Sequence, residues 1–200
     1  MRATLQRRAF DREGWVFEHK LDGFRALIRR TCASVDVLSR SGRSFAAAFP
    51  EVVRAAEALP VGLVLDAELI VPGEHQFGSF EDTRRRAVMK RPSSIIGRER
   101  ASRCDVRIRL SGVEGSRHPC AAAARRKAAI APLLARIPCV QVVSFVGKHG
   151  IAAFAAAVEF GTDGIVAKRG DSPYQGRSIA RLDQIKNPGF YRQAALGIRE

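Results

Sequence analysis

The sequence predicts an α+β domain rich in antiparallel strands, and three observations carry that expectation. Short strand-like runs and Ala-rich helical stretches interleave without the regular period of a doubly wound parallel sheet. Several of the strand-like runs follow one another closely enough to be hairpin partners. With 200 residues and 46% hydrophobic content the chain can bury a sizeable core, and a single domain over residues 1–200 is expected.

Residues Trp15–Glu18 and Phe24–Arg29 read as two strands joined by a tight turn at Asp22-Gly23, with Lys20 close to that turn. A third strand, Val35–Leu38, ends at the polar loop Ser39-Arg40-Ser41-Gly42-Arg43. An Ala-rich helix is expected from Phe45 to Leu59, closed by Pro60. Gly62–Val71 alternates, with Leu63, Leu65, Ala67 and Leu69 on one face and Val64, Asp66, Glu68 and Ile70 on the other. Asp66 and Glu68 therefore project together. Ser79–Lys90 reads as a helix with Ser79 as N-cap and Glu81 and Asp82 complementing the helix dipole, and its Arg84-Arg85-Arg86 cluster is expected in solvent.

From Gly97 to Arg126 the pattern weakens: Arg107 and Arg109 interrupt the strand-like run, and Gly112, Gly115 and Pro119 break the residues beyond it. Order returns with a helix near Ala121–Ala135, a strand near Val140–Phe145, a helix near Ile151–Phe160 and a strand Gly164–Lys168. The last strand, Leu182–Lys186, stops at Asn187-Pro188-Gly189.

The 34 Lys and Arg against 20 Asp and Glu leave a formal charge of +14, which favours polyanionic partners through counterion release. A basic surface without a specific partner is the plainer alternative. Cys32, Cys104, Cys120 and Cys139 form no CxxC pair and stand near no closely spaced histidines, so neither a zinc site nor a disulfide framework is expected. The basic N-terminus lacks the apolar run of a signal peptide and no stretch reaches membrane-spanning length; a soluble protein of a reducing cytoplasm is expected.

The segment Glu18-His19-Lys20-Leu21-Asp22-Gly23-Phe24-Arg25 gathers a lysine, an aspartate and an arginine around one expected turn, which can aim them at one ligand. A nucleophilic lysine must lose its proton, which nearby cations and partial burial promote; Arg25 and Arg40 are candidates for that field. Read alone, the segment is equally a hairpin turn with solvated charges. Asp66 and Glu68, the run Asp163-Gly164-Ile165-Val166-Ala167-Lys168, and Ile185-Lys186-Asn187-Pro188 add further charge at strand ends. His19, His75, His118 and His149 lack ligand spacing and are given no role.

In order and character these motifs closely resemble the covalent nucleotidyltransferases, specifically the bacterial ATP-dependent DNA ligases. Lys20-Leu21-Asp22-Gly23-Phe24-Arg25 looks like that family's lysine motif, Ser39–Arg43 is similar to its second, Leu65–Leu69 to its third, and Asp163–Arg169 to its fourth. Ser172–Ser178 resembles the segment before the last motif, which ends here in Ile185-Lys186-Asn187-Pro188. The resemblance spans about residues 14–188, and several ordered motifs are more specific than any one.

The fold it implies is the ATP-grasp-like ligase adenylation domain, and with Glu200 as the last residue no oligonucleotide-binding (OB)-fold domain is expected. By the resemblance, Lys20 forms a phosphoramidate with AMP; Glu18, Arg25, Arg40, Glu68, Lys168 and Lys186 bind nucleotide or DNA-end groups; and Asp163 with Glu68 holds Mg²⁺ or Mn²⁺. ATP is the substrate, and the implied partners are nicked or broken double-stranded DNA and a separate DNA-clamping or OB-fold protein. The sequence departs from the family at Asp163, where glutamate is usual, and at Leu182 and Gln184, where tryptophan and lysine are usual. Arg103–Leu110, where an adenine-stacking aromatic is expected, contains none. Those departures motivate two alternatives: a ligase relative that binds DNA without catalysis, and a nucleotidyltransferase acting on RNA ends.

Overall fold

The computed structural model describes residues 4–71, 80–88, 107–114, 128, 131–135, 137, 140–171 and 182–190. In chain order the first elements are β1 (Thr4–Gln6), β2 (Trp15–His19), β3 (Phe24–Arg30), β4 (Val35–Ser39), α1 (Pro50–Glu57), β5 (Val64–Ile70) and α2 (Phe80–Val88). The remaining ones are β6 (Arg107–Glu114), β7 (Val140–Val142), β8 (Val146–Gly147), α3 (Gly150–Glu159), β9 (Gly164–Arg169) and β10 (Leu182–Lys186). They form two five-stranded sheets, ordered β1-β10-β9-β2-β8 and β4-β3-β5-β6-β7. The pairs β1–β10 and β6–β7 are parallel and the others antiparallel, so the α+β, antiparallel-rich expectation is met.

The chain divides into two compact units, one of Met1–Asp22, Cys120–Arg125 and Val143–Glu200, the other of Gly23–Pro119 and Arg126–Val142. In the first, Phe17, Ile165, Ala167 and Ile185 point from their strands onto Ala157 of α3, and Phe10 packs edge-on against Phe17 and Trp15. Gly150 opens α3 where any Cβ would collide with the Phe10 carbonyl and the Phe17 ring, so the close approach at this point requires glycine. In the second, Ala26, Ile28, Val37, Leu65, Ala67 and Leu69 form the sheet side of a core completed by Phe45, Phe49, Val52 and Ala56. Leu65, Ala67 and Leu69 face that core, as the alternation of the strand predicts.

The expected hairpin at Asp22-Gly23 does not form, because β2 and β3 belong to different sheets. Asp22 is 8% exposed, and a Cβ on Gly23 would run into the Leu69 carbonyl and within 2.6 Å of the Ile70 side chain. The glycine serves a close backbone approach, a need that a hairpin turn imitates in sequence. The helix expected from Phe45 begins at Pro50, since proline biases the preceding residue away from the helical region and is suited to the first helical position. The chain before it is tied to β4 instead, Phe45 N–H donating to the Val37 carbonyl at 2.7 Å.

Arg86 does not stay in solvent. It pairs with Glu51 at 2.6 Å, donates to the Ala48 carbonyl and lies 5.3 Å over the Phe49 ring, tying α2 to α1, while Arg84 and Arg85 remain largely exposed. The stretch around Arg107 and Arg109 is strand β6, paired with β5 through a register shift between Asp66 and Ala67. The strand expected over Val140–Phe145 ends at Val142, and the next strand, β8, pairs in the other sheet. Ser79, the start of the 121–135 helix and the 172–178 segment lie outside the described residues. Among the described residues no helix is long and apolar enough to cross a membrane.

The N-terminus of α3 takes a cap from far away in sequence, the Asp11 carboxylate accepting from Ile151 N–H at 2.9 Å. Asp11→Ala is expected to lower stability by about 1 kcal/mol in urea denaturation, and Asp11→Asn, which keeps the acceptor, by only a few tenths.

Candidate functional site

In the first unit, the pairing of β2 with β9 and β9 with β10 sets three of the sequence-predicted residues, Glu18, Lys168 and Lys186, on one sheet, with Lys20 and Asp163 just beyond the strand ends. His19 pairs with Ile165, Glu18 with Val166, Val16 with Lys168, and Lys186 with Gly164. Lys20 leaves β2 here, its backbone N–H donating to the Gly164 carbonyl at 2.8 Å and its Nζ contacting Asp163 Oδ2. Within this unit the group facing Lys20 is a carboxylate. Both side chains are largely covered, 15% and 10% exposed.

Asp163 is placed by the end of α3. Gly161, at φ 64°, donates to the Val158 carbonyl, and Thr162 N–H donates to Ala157, the pair of bonds that closes a helix through a left-handed glycine. Thr162 Oγ1 adds a bond to the same Ala157 carbonyl at 3.0 Å. Gly164 comes next at φ 125°, where a Cβ would strike the Ile185 carbonyl. Asn187 then ties the turn to the end of β10, its Nδ2 donating to the Thr162 carbonyl at 3.1 Å. Sequence reasoning missed Thr162 and Asn187; the motif Asn187-Pro188-Gly189 reads as chain punctuation, which conceals the amide's second use.

Glu18 and Lys168 form a buried ion pair at 2.9 Å, 2% and 11% exposed at their side chains. They are diagonal neighbours across β2 and β9, on the face opposite Phe17 and Ala167. Lys186 is exposed and makes no ion pair with a described residue.

In the second unit, Arg25 grips Asp66 in a two-pronged contact, Nε to Oδ1 at 2.8 Å and Nη2 to Oδ2 at 2.7 Å, with Asp66 3% exposed. Glu68 is half-buried and stands between Arg25 and Arg109 in strand register. Arg40 is exposed on the tight Ser39–Arg43 turn, closed by Gly42 N–H to the Ser39 carbonyl at 2.9 Å. No described group of three His, Cys, Asp or Glu gathers as a metal cage. Asp163 by itself suits Mg²⁺, which is commonly held by one or two carboxylates with phosphate oxygens and water completing its shell.

Residues 3–106 match the family described as ATP dependent DNA ligase domain. The chain is 32% identical over 174 residues to the multifunctional non-homologous end joining DNA repair protein LigD of Mycobacterium tuberculosis, covering 83% of this chain and 21% of that protein. It is 30% identical to the SPbeta prophage-derived DNA ligase-like protein LigB of Bacillus subtilis, covering 83% of this chain and 58% of that one. Among solved structures, the ligase domain from M. tuberculosis LigD superposes with a TM-score of 0.70 at 28% identity over 92% of this chain and 57% of that chain. The mycobacterial DNA ligase D complexed with ATP and MES gives a TM-score of 0.69 at 28% identity, over 92% and 58%. The chain therefore spans from about a fifth to under two thirds of the length of these relatives.

Removing one member of the Glu18–Lys168 pair leaves a charge in a nearly dry place. Lys168→Met is expected to cost about 3 kcal/mol in thermal or urea unfolding, and the double variant Glu18→Gln/Lys168→Met markedly less. Equal losses in the single and double variants would show the two charges to be uncoupled.

Proposed function

This chain belongs to the ATP dependent DNA ligase domain family, and on that premise we propose that residues 1–200 act as an adenylation domain with Lys20 as its nucleophile. The observation that carries the reading is the setting of Lys20, fixed by its backbone bond to Gly164 and held against Asp163 at one end of a sheet that also bears Lys168 and Lys186. Lys20 Nζ attacks the α-phosphorus of ATP; a P–N bond forms, the bond to the β-phosphate oxygen breaks, pyrophosphate leaves, and the amine proton passes to solvent. Attack requires Lys20 to give up a proton, because an ammonium has no lone pair to offer.

The cations Lys168 and Lys186 offset charge on the phosphate oxygens, and Glu18 orders Lys168 for that task. Mg²⁺ or Mn²⁺, held by Asp163 with phosphate oxygens and water, would supply further neutralisation of phosphate charge. Arg25, Arg40 and Glu68 are assigned to ribose, phosphate or DNA-end groups through the motifs they occupy, Glu68 also to the metal. Arg25 would take that part with a guanidinium oriented by Asp66.

AMP then passes to a 5′-phosphate at a break in double-stranded DNA, and a 3′-hydroxyl displaces it to seal the strand. The formal charge of +14 supports a polyanionic substrate, and the end-joining relatives support breaks in repair, acted on in the bacterial cytoplasm at the nucleoid with a separate DNA-clamping partner.

Incubation with ATP and Mg²⁺ is expected to raise the intact-protein mass by one AMP, and Lys20→Ala to abolish the gain. A folded wild-type protein that gains nothing, or a label that survives Lys20→Ala, would overturn the assignment.

A further inference from the structure

The turn at 162–164 delivers both groups that meet Lys20: the Asp163 carboxylate at its Nζ and the Gly164 carbonyl at its backbone N–H. Each of the three successive carbonyls in that turn is claimed. Thr162 O accepts from Asn187 Nδ2 at 3.1 Å, Asp163 O from Asn187 N–H at 3.1 Å, and Gly164 O from Lys20 N–H at 2.8 Å. Two of the three bonds come from one residue.

Asn187 is 8% exposed, and its amide is used at both ends, since Oδ1 accepts from Gly189 N–H at 2.9 Å. A single side chain that donates to one carbonyl and accepts from the amide two residues on is a capacity of Asn, and to a lesser degree of Gln. Proline biases the residue before it toward an extended conformation, which suits Asn187 where its N–H bonds Asp163 just past the end of β10. The absence of a Cβ at Gly164 permits the close approach, as an added Cβ would stand 3.0 Å from Asn187 N. The other side of the turn is held by the Thr162 hydroxyl, which donates to the Ala157 carbonyl of α3.

We propose that Asn187 is a positioning residue for the candidate nucleophile: it holds the 162–164 turn in register with the end of β2, and through Asp163 and Gly164 it sets the orientation of Lys20. Asn187 touches neither nucleotide nor metal in this role. The catalytic part of the proposal rests on the reading of Lys20 as the adenylated residue; the positioning part does not.

Two full-chain variants test it. Asn187→Ala removes both amide contacts, whereas Asn187→Asp keeps the volume and the acceptor for Gly189 but turns an oxygen toward the Thr162 carbonyl. Folding is checked by circular dichroism and thermal melting. The first readout needs no ATP: limited reductive methylation with formaldehyde and cyanoborohydride, then peptide mass spectrometry at Lys20, with the half-exposed Lys148 as internal control. Both variants are expected to raise Lys20 labelling about fivefold, toward the level of Asp163→Asn, with Lys148 unchanged. The second readout is the rate of AMP gain, expected to fall roughly tenfold at saturating ATP while KM for ATP stays within about twofold.

Unchanged Lys20 labelling in a folded variant overturns the proposal. So does a labelling increase shared by Lys148, which would report general loosening, and so does failure of both variants to fold, which would make Asn187 a folding residue. If the wild-type protein gains no AMP while the labelling contrast holds, the adenylation reading falls and the positioning role stands.

Discussion

The antiparallel pairing of β2 with β9 is the constraint on which the candidate site depends. It joins Trp15–His19 to Ile165–Arg169, segments about 150 residues apart in the chain. Closing such a loop costs conformational entropy, though the cost grows only with the logarithm of loop length. The return comes from one face of the sheet, where Phe17, Ile165 and Ile185 are each about 1% exposed or less beneath α3. At roughly 1.5–3 kcal/mol for each large apolar side chain buried, these three contribute several kcal/mol.

The opposite face spends stability. Glu18 and Lys168 are nearly dry, and desolvating two charges costs several kcal/mol per ion before their attraction is counted. An apolar pair of the same volume would serve the fold at least as well. The alternation of the strands places apolar and charged residues back to back, so helix-covered packing supports a face whose charges are kept for something other than stability. Beyond the strand end the same logic applies to Asp163, 8% exposed, whose position depends on the left-handed close of α3 at Gly161 and on the Asn187 amide.

Much of the fold was legible because local rules govern it. The period of β5 predicts its core face, and Leu182–Lys186 is a strand with the bounds its sequence suggests. Where reading failed, a non-local or phase-breaking cause is visible. In β6 the register partner of Asp66 is Gly112 and that of Ala67 is Leu110, so one residue is skipped and the alternation changes phase midway. Ile108, Leu110 and Val113 are the register partners of Leu69, Ala67 and Leu65, an orderly match that no constant period of two can reveal. Arg86 was misjudged because its tripeptide is uniformly basic, while the Glu51 carboxylate and Phe49 ring that receive it lie on another helix and its approach.

By itself, the sequence determined the α+β character, the face of β5 that carries Asp66 and Glu68, and the ordered motifs that single out Lys20. These come from alternation, capping and residue type, each readable within a dozen residues. Tertiary structure alone decided that β2 and β3 part into different sheets at Asp22-Gly23, that Lys20 faces Asp163, that Arg25 is engaged by Asp66, and that Asn187 holds the intervening turn. Those outcomes depend on which distant strands pair and on buried polar groups finding partners, and both are settled only when the whole chain closes on itself.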